Sequence, residues 1–419
     1  MPASGMWGCA ASGGSILAKK KGAVMTHLNP RLAATIAPPV MEARRWLEGV
    51  DFSADRPLLN LSQAAPVDPP PDGLRRAMAD ALLLRDDSHL YGPVLGLEGL
   101  RAELAAQWSA NYGGQVSPDQ VAITAGCNQA FCAVVATLAQ AGDSVMLPVP
   151  WYFNHKMWLD MNGIETQVLP TGEDLIPDPQ AAEARITSRT RAIVLITPNN
   201  PGGVEYPAET MAAFRDLARR RGIALIVDET YRDFHAQEGA PHGLIADPDW
   251  DDTVITLYSF SKSFRLTGHR VGAILASRAR LAEVEKFLDC VAICPSQVGQ
   301  IGALWGMQNL GAWLAAERLE ILARRAAMQA VFQRLPDWQL LGCGAYFAYL
   351  RHPFAERSDS VARRLVREAG LLTLPGTMFG PTREEGGQGQ AETTLRLAFA
   401  NADADGLAQL GDRLARLGV

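Results

Sequence analysis

An alternation of short apolar runs with amphipathic stretches, starting near residue 100, constrains this chain more than any other feature. Most of the runs are continuous in hydrophobicity rather than alternating in polarity, as expected of strands that are buried on both faces. Six such runs cover residues 121–124, 144–147, 192–196, 223–227, 254–257 and 271–275. Between them lie helix candidates such as residues 129–140 and 208–220. This order predicts an α/β fold with a mostly parallel mixed sheet layered by helices.

The pattern changes after about residue 300. Residues 299–335 are rich in Ala, Leu and Arg, which predicts a long helical stretch. Shorter strands are predicted over residues 345–350 and 393–399, with helices over residues 360–369 and 402–417. This part of the chain therefore predicts a second, smaller α+β domain.

The chain divides into four predicted segments. They are a disordered tail (1–24), an N-terminal arm with part of the small domain (25–65), a large domain (66–305) and a small C-terminal domain (306–419). The tail is rich in Gly, Ser and Ala. Its Lys19, Lys20 and Lys21 follow a weak apolar run, whereas a signal peptide has its positive charge first.

Composition excludes several classes of function. The chain has 419 residues and a net charge of -6, which gives no general attraction to nucleic acid or to an anionic membrane. No uninterrupted apolar stretch reaches the roughly 18 residues of a transmembrane helix. None of the 6 cysteines forms a C-x-x-C pair, so we expect neither a metal site nor a disulfide framework. We therefore expect a cytoplasmic protein with reduced thiols.

Lys262 follows the apolar run at residues 254–257. A lysine at the inner end of a buried strand has a lowered pKa, and its neutral amine can form an imine with an aldehyde. The nearby Ser259, Ser261 and Arg270 suit a phosphate, so the segment indicates pyridoxal 5'-phosphate (PLP). Taken alone, the lysine is also compatible with an exposed loop at the start of a helix.

Two polar segments also follow predicted strands, where ligands bind in open parallel sheets. Residues 125–128 lead directly into a helix, so their backbone N–H groups can approach an anion, although a plain tight turn fits equally. Residues 197–203 form a rigid turn that presents an amide side chain, with or without a ligand.

Two charged residues stand in apolar surroundings. Asp228 ends the run at residues 223–227 and requires a partner, which a pyridinium N–H would provide; a helix N-cap is the alternative. Arg396 lies within residues 394–399. Its planar guanidinium suits bidentate binding of a ligand carboxylate, and a structural salt bridge is the alternative.

Taken together, these segments resemble the class I/II aminotransferases, PLP enzymes of fold type I. The resemblance extends from about Pro30 to the end of the chain, with the large domain binding PLP. Its most specific part is the spacing of Ser259, Lys262, Arg270 and Gly272, and four further motifs follow in the family's order.

The resemblance implies a role for each cofactor-binding residue. Lys262 would bind PLP covalently and act as general base, and Asp228 would pair with the pyridine nitrogen. Tyr231 and Asn200 would contact the phenolic oxygen. Tyr152 would stack on the ring, with Trp151 as a rival. The phosphate would be held by Gly126, Cys127, Asn128, Ser259, Ser261 and Arg270.

The resemblance also implies substrates and a partner. The substrates would be an amino acid and a 2-oxo acid, exchanged by a ping-pong mechanism, with Arg396 binding the α-carboxylate. Asn200 and Ala64 would also contact the substrate. Tyr91 would reach the phosphate of a neighbouring subunit, which implies a homodimer with shared active sites.

The chain departs from the family pattern at three places. Ala64 replaces a glycine in the loop that approaches the substrate, and Gly202 replaces a threonine in the Asn-Pro-Thr-Gly turn. Residues 289–296 contain no arginine for a side-chain carboxylate, so we expect a neutral or aromatic amino donor.

Two other activities fit the same cofactor residues. A carbon–sulfur lyase and a cyclopropane-forming synthase would share the lysine, the aspartate and the arginine. A PLP-binding regulator is a further alternative, but the first 24 residues are too short and too weakly basic for a DNA-binding domain.

Overall fold

The computed structural model describes residues 27–417. The predicted tail over residues 1–24 lies outside the described residues. The strands of the described chain are β1 (Leu59–Asn60), β2 (Val121–Thr124), β3 (Ser144–Val149), β4 (Glu165–Pro170), β5 (Thr190–Ile196), β6 (Ala224–Asp228), β7 (Val254–Ser259), β8 (Gly272–Leu275), β9 (Gln339–Gly344), β10 (Phe347–Arg351), β11 (Leu371–Leu372), β12 (Leu374–Pro375) and β13 (Thr394–Ala398).

The helices flank these strands in sequence. They are α1 (Pro30–Ala34), α2 (Pro39–Arg45), α3 (Asp72–Leu84), α4 (Glu98–Tyr112), α5 (Cys127–Leu138), α6 (Phe153–Asn162), α7 (Pro179–Glu183), α8 (Ala208–Arg221), α9 (Phe260–Ser263), α10 (Arg278–Ala292), α11 (Gln297–Asn309), α12 (Gly311–Gln333), α13 (Ser358–Arg364) and α14 (Ala404–Ala415). No helix within residues 27–417 is long and apolar enough to cross a lipid bilayer.

Seven strands form the large sheet, in the order β2-β8-β7-β6-β5-β3-β4. Strands β3 to β7 are parallel to one another, whereas β8 runs antiparallel to both β7 and β2. The prediction of a mostly parallel mixed sheet is therefore confirmed, and all six apolar runs contribute strands. Strand β4 was not predicted, because this edge strand is only partly buried and lacks a continuous apolar run.

Both faces of the large sheet are covered. Ile193 and Leu195 of β5 belong to a core cluster that contains Trp108 of α4 and Phe214 of α8. The alternate residues of the same strand, Ala192 and Val194, belong to another cluster that contains Phe131 of α5. Since successive residues of a strand point to opposite faces, helices layer the sheet on both sides.

A second sheet has four antiparallel strands in the order β12-β13-β10-β9. Strand β1 pairs with β11 in parallel, so the arm joins this part of the chain. The prediction of one continuous helical stretch over residues 299–335 is wrong, because the chain forms two helices, α11 and α12, that are separated at Leu310. Asn309 and Gly311 flank the break, and both have low helix propensity.

Candidate active site

A cavity of about 380 Å³ opens at the carboxyl ends of β5, β6 and β7. It is lined by every predicted site residue except Gly126 and Tyr91. Those lining it are Ala64, Cys127, Asn128, Tyr152, Asn200, Asp228, Tyr231, Ser259, Ser261, Lys262, Arg270 and Arg396. The sheet topology explains the convergence, because parallel strands end at one edge of the sheet.

Lys262 lies on a short turn directly after β7. Ser259 ends the strand, and its hydroxyl accepts a hydrogen bond from the Ser261 N–H at 3.3 Å, which caps α9. The Lys262 Nζ donates to the Ala64 carbonyl at 2.5 Å. Burial, together with the positive charges of Arg270 and Arg396, lowers the pKa of Lys262 to about 8. At neutral pH, a larger fraction of this amine is therefore neutral and nucleophilic than on an exposed lysine.

Asp228 is the last residue of β6, and its carboxylate is buried. The Thr230 N–H donates to Oδ1 at 3.0 Å, and the His155 Nε2 lies 3.4 Å from Oδ2. Burial raises the pKa of Asp228, but His155 and Thr230 outweigh burial and hold it below its usual value. The cavity wall therefore carries a negative charge at this point.

His155 is a site residue that the sequence analysis missed. Its ring stacks on Phe131 with a centroid distance of 3.8 Å, which fixes it against Asp228. The sequence contained a signal for this role. A buried carboxylate requires a partner, and His155 follows Tyr152 by three residues at the start of α6.

Gly126 begins the anion-binding part of the cavity, although its own atoms do not line the wall. It caps α5 with φ +88°, so the first N–H groups of the helix face the cavity. A Cβ atom at this position would lie 2.1 Å from the Arg270 Nη2. Arg270 donates to the Thr267 carbonyl at 2.9 Å, which keeps its guanidinium beside the helix end. The helix N-terminus and the arginine together suit a phosphate.

Arg396 of β13 projects a buried guanidinium into the cavity. Nη1 donates to the Asn200 Oδ1 at 3.0 Å and Nη2 to the Ser62 carbonyl. In the described part of the chain it forms no salt bridge, and its Nε has no partner. Burial lowers the pKa of Arg396 to about 10. The alternative of a structural salt bridge is therefore absent from the described residues, and the charge is available to a carboxylate.

The turn after β5 holds Asn200 in place for Arg396. The Asn199 Oδ1 accepts from the Gly202 N–H at 2.8 Å, and the Asn199 Nδ2 donates to the Tyr206 hydroxyl at 2.9 Å. A Cβ atom at residue 202 would lie 2.8 Å from the Asn199 Oδ1 and 3.0 Å from Leu175. The glycine that replaces the family's threonine therefore has a local packing reason.

Two tyrosines supply aromatic surface to the cavity. Tyr152 lines it, and its hydroxyl accepts from the Asn154 Nδ2 at 2.9 Å. Its rival Trp151 packs instead among residues of the sheet core. Tyr231 packs edge-on against Phe347, with ring centroids 5.1 Å apart. Tyr91 lies elsewhere, with 79% of its surface exposed.

The outer wall of the cavity comes from residues of the predicted arm that were not among the predicted site residues. Its residues there are Pro38, Pro39, Val40, Met41, Arg44 and Gln63. The Arg44 Nη2 donates to the Gln63 Oε1 at 2.7 Å, which links α2 to the loop after β1. No motif pointed to these residues, because an arm that folds over a site has no periodic pattern of its own.

Comparison with known proteins decides the family. The sequence model described as "Aminotransferase class I and II" matches residues 56–414. The chain belongs to the class I and II aminotransferase family. It is a PLP-dependent aminotransferase, so the family resemblance and the expected cofactor are confirmed.

Individual relatives agree with this assignment. The chain is 29% identical over 301 residues to the aromatic aminotransferase ISS1 of Arabidopsis thaliana, covering 69% of this chain and 74% of that protein. It is 26% identical to the aspartate/prephenate aminotransferase of Thermus thermophilus, covering 93% and 96%. The structure of aspartate aminotransferase from Thermus thermophilus with maleate superposes with a TM-score of 0.83 at 25% identity, covering 94% and 100%.

The residues of the cavity fit PLP. Asp228 offers a buried charge, Lys262 an amine with a lowered pKa, and the start of α5 with Arg270 a cradle for a phosphate. The family and its named relatives also favour an aminotransferase over the lyase, the synthase and the regulator.

Proposed function

We propose that this enzyme transfers an amino group from a neutral or aromatic amino acid to a 2-oxo acid by a ping-pong mechanism, using the cavity described above. The observation that carries the proposal is the meeting of Lys262, Asp228 and Arg396 in one cavity. Their chemistry is complementary to an aldehyde, a ring nitrogen and a carboxylate, respectively.

Each side chain has an assigned role in holding the cofactor. Lys262 would hold it covalently, and Asp228, supported by His155, would keep the pyridine nitrogen protonated. Arg270, with the N–H groups at the start of α5, would bind the phosphate. The remaining contacts come from the side chains of Tyr152, Asn200, Tyr231, Ser259 and Ser261.

Catalysis then depends on the positions of two basic side chains, Arg396 and Lys262. Arg396 binds the substrate's α-carboxylate and orients the α-carbon, assisted by Asn200. When bound, PLP supplies an electron-accepting ring for the charge that develops at that carbon. The Lys262 Nζ takes the α-proton as a general base and later returns it as an acid. Its pKa of about 8 suits both directions of transfer near neutral pH.

The choice of amino donor follows from the outer wall. Pro38, Pro39, Val40 and Met41 present apolar surface where a substrate side chain would lie, and the neighbouring Arg44 donates to Gln63. Residues 289–296 contain no arginine that could pair with a side-chain carboxylate. The name of the aromatic aminotransferase among the relatives supports this choice, whereas that of the aspartate/prephenate aminotransferase includes an acidic donor.

We further propose that the enzyme works as a homodimer whose subunits share their active sites. Tyr91 is exposed and lies outside the cavity of its own subunit, as expected of a residue that reaches the neighbouring phosphate. Exposed apolar side chains precede it in sequence, namely Leu82, Leu83, Leu84 and Leu90. Such a group of exposed leucines is typical of a surface that a partner covers.

The division into arm, large domain and small domain is also a proposal. The pairing of β1 with β11 supports assigning residues 25–65 partly to the small domain. The boundary after residue 305 falls inside α11, which packs on α3 and α4, so Leu310 is a better boundary. We place the enzyme in the cytoplasm, in keeping with the unpaired state of the five cysteines within residues 27–417.

A screen of amino donors tests the proposed function. The PLP-loaded enzyme is mixed in turn with phenylalanine, leucine, alanine and aspartate without an oxo acid. We expect the neutral and aromatic donors to yield one equivalent of 2-oxo acid per site, without ammonia. Cystathionine, added as a further substrate, would release ammonia over many turnovers if the enzyme were a carbon–sulfur lyase, and efficient conversion of aspartate would contradict the proposed donor class.

A further inference from the structure

A buried polar cluster lies behind the turn that carries Lys262. It consists of Arg232, Asp233, Tyr258 and Ser263, and none of the four lines the cavity. The Asp233 Oδ2 accepts hydrogen bonds from Tyr258 at 2.6 Å and from Ser263 at 2.5 Å. The two hydroxyl oxygens lie 2.7 Å apart, so the three side chains form a closed group.

Arg232 balances the charge of this cluster. Its Nη2 donates to the Asp233 Oδ1 at 2.9 Å, and its guanidinium lies 3.7 Å from the ring centre of Trp108. Burial raises the pKa of Asp233, but Arg232, Ser263 and Tyr258 outweigh burial and hold it below its usual value. Asp233 is therefore a charged acceptor, which binds hydroxyl donors more strongly than a neutral group does.

The cluster holds the chain on both sides of Lys262. Tyr258 belongs to β7 and precedes the turn, whereas Ser263 is the last residue of α9 and follows Lys262 directly. Helix α9 has only 4 residues, and a helix of that length has little stability of its own. Its geometry must therefore depend on contacts from outside the turn.

We propose that Asp233 is a positioning residue for Lys262: through Tyr258 and Ser263 it fixes the turn that aims the Lys262 amine into the cavity. The inference rests on the proposed role of Lys262 as the reactive lysine. Asp233 acts through its neighbours and touches neither cofactor nor substrate. Asp228 and Asp233, five residues apart, thus act on the same site, Asp228 from the cavity wall and Asp233 from the buried cluster.

Single substitutions separate this role from general stability. Ser263→Ala removes one hydroxyl from the cluster and leaves the pair of Asp233 with Arg232 and Tyr258 intact. Asp233→Asn is the stronger change, because whichever way the amide turns, its NH2 group faces either Arg232 or the two hydroxyls. Ser263→Thr keeps the hydroxyl and serves as the conservative variant.

The first readout uses the protein without cofactor. Lys262 is labelled competitively with acetic anhydride across a range of pH, and mass spectrometry of its peptide gives the pKa. Lys286, whose side chain is 72% exposed, is the internal reference. We expect a midpoint of about 8 in the wild type, set by burial, Arg270 and Arg396. Ser263→Ala and Asp233→Asn should raise it by about 0.5 unit or more, because the amine moves out of that position.

The second readout uses the loaded enzyme. A misdirected lysine slows proton transfer but leaves the Arg396 contact with substrate intact. We therefore expect kcat to fall about tenfold while KM stays within about twofold, and Ser263→Thr to restore most of the loss.

Tyr112→Phe is the matched control. The Tyr112 hydroxyl donates to the buried Glu229, which neighbours Asp228 in sequence. This hydrogen bond involves no residue of the lysine turn. The control should leave the labelling midpoint of Lys262 unchanged. An equal shift in the control would overturn the proposal, because loosening anywhere nearby would then suffice.

The remaining outcomes are also decisive. A folded Ser263→Ala protein with the wild-type midpoint would overturn the proposal. If Ser263→Ala does not fold, Tyr258→Phe tests the other hydroxyl by the same criterion. Should Lys262→Ala retain the absorbance of an imine between protein and cofactor, the proposed role of Lys262 itself would fail, which is a result distinct from a failure of the Asp233 assignment.

Discussion

The two sides of the lysine turn contain similar residues in opposite electrostatic states. On the cavity side, burial lowers the pKa of Lys262 to about 8 and that of Arg396 to about 10. The protonated form of both side chains is therefore less favourable than in water. Behind the turn, the pKa of Asp233 is lowered and that of Arg232 is raised. The charged form of both side chains is therefore favoured. The charges behind the turn are paired with each other, whereas Lys262 and Arg396 have no counter-ion among the described residues and are available to a ligand.

The largest expected effect comes from the cavity side. Lys262→Ala removes both the covalent attachment and the general base, so we expect activity to fall roughly 10⁴-fold or more. Steady-state assays with a good amino donor measure it. Lys286→Ala, an exposed lysine on α10, is the control and should be fully active. A Lys262→Ala enzyme within tenfold of wild type would remove the distinction between the two sides.

Asp228→Asn should have the next largest effect. It keeps the shape of the side chain but removes the negative charge next to His155, so we expect kcat/KM to fall about 100-fold or more. Asp178→Asn, which alters only the N-cap of α7, is the control and should have no effect on activity. Wild-type kinetics in Asp228→Asn would contradict the assignment of this carboxylate to the cofactor.

Arg396→Lys tests the unpaired guanidinium. A lysine keeps the charge but loses the planar fork, so we expect kcat/KM to fall about 10- to 100-fold, mainly through KM. Arg215→Lys, at a guanidinium that pairs with Asp216 and Asp247, provides the comparison and should leave kcat/KM unchanged. The expectation fails if the KM for the amino acid stays at its wild-type value.

The smallest effect is expected at Tyr112, which lies outside the cluster of Arg232, Asp233, Tyr258 and Ser263. Tyr112→Phe removes one buried hydrogen bond to Glu229 and should lower the free energy of unfolding by about 1–3 kcal/mol. The denaturation midpoint in urea measures it, with kcat recorded in parallel. A large loss of kcat without loss of stability would contradict the use of Tyr112 as a purely structural control.

Much of the fold was predictable, because the large sheet is buried on both faces. Such strands appear in the sequence as continuous apolar runs, and all six were found. The same reasoning missed β4, whose edge position leaves it partly exposed. It also overlooked the break at Leu310, which flanking residues of low helix propensity mark only weakly.

The candidate site was predictable where chemistry is local in sequence. Lys262, Asp228 and Arg396 stand out because a charge within an apolar strand needs a reason. His155, Asp233 and the arm residues did not, since their roles depend on neighbours that are distant in sequence or on another element. Long-range packing of this kind leaves no periodic signal in one sequence.

The most direct test of the central claim is to trap the lysine that binds the cofactor. The enzyme is loaded with PLP, reduced with borohydride and digested, and the modified peptide is identified by mass spectrometry. The chain contains lysines at only six positions, 19, 20, 21, 156, 262 and 286, so the assignment is unambiguous. We predict one pyridoxyl group per chain, on Lys262. Modification of another lysine, with Lys262 unmodified, would contradict the account.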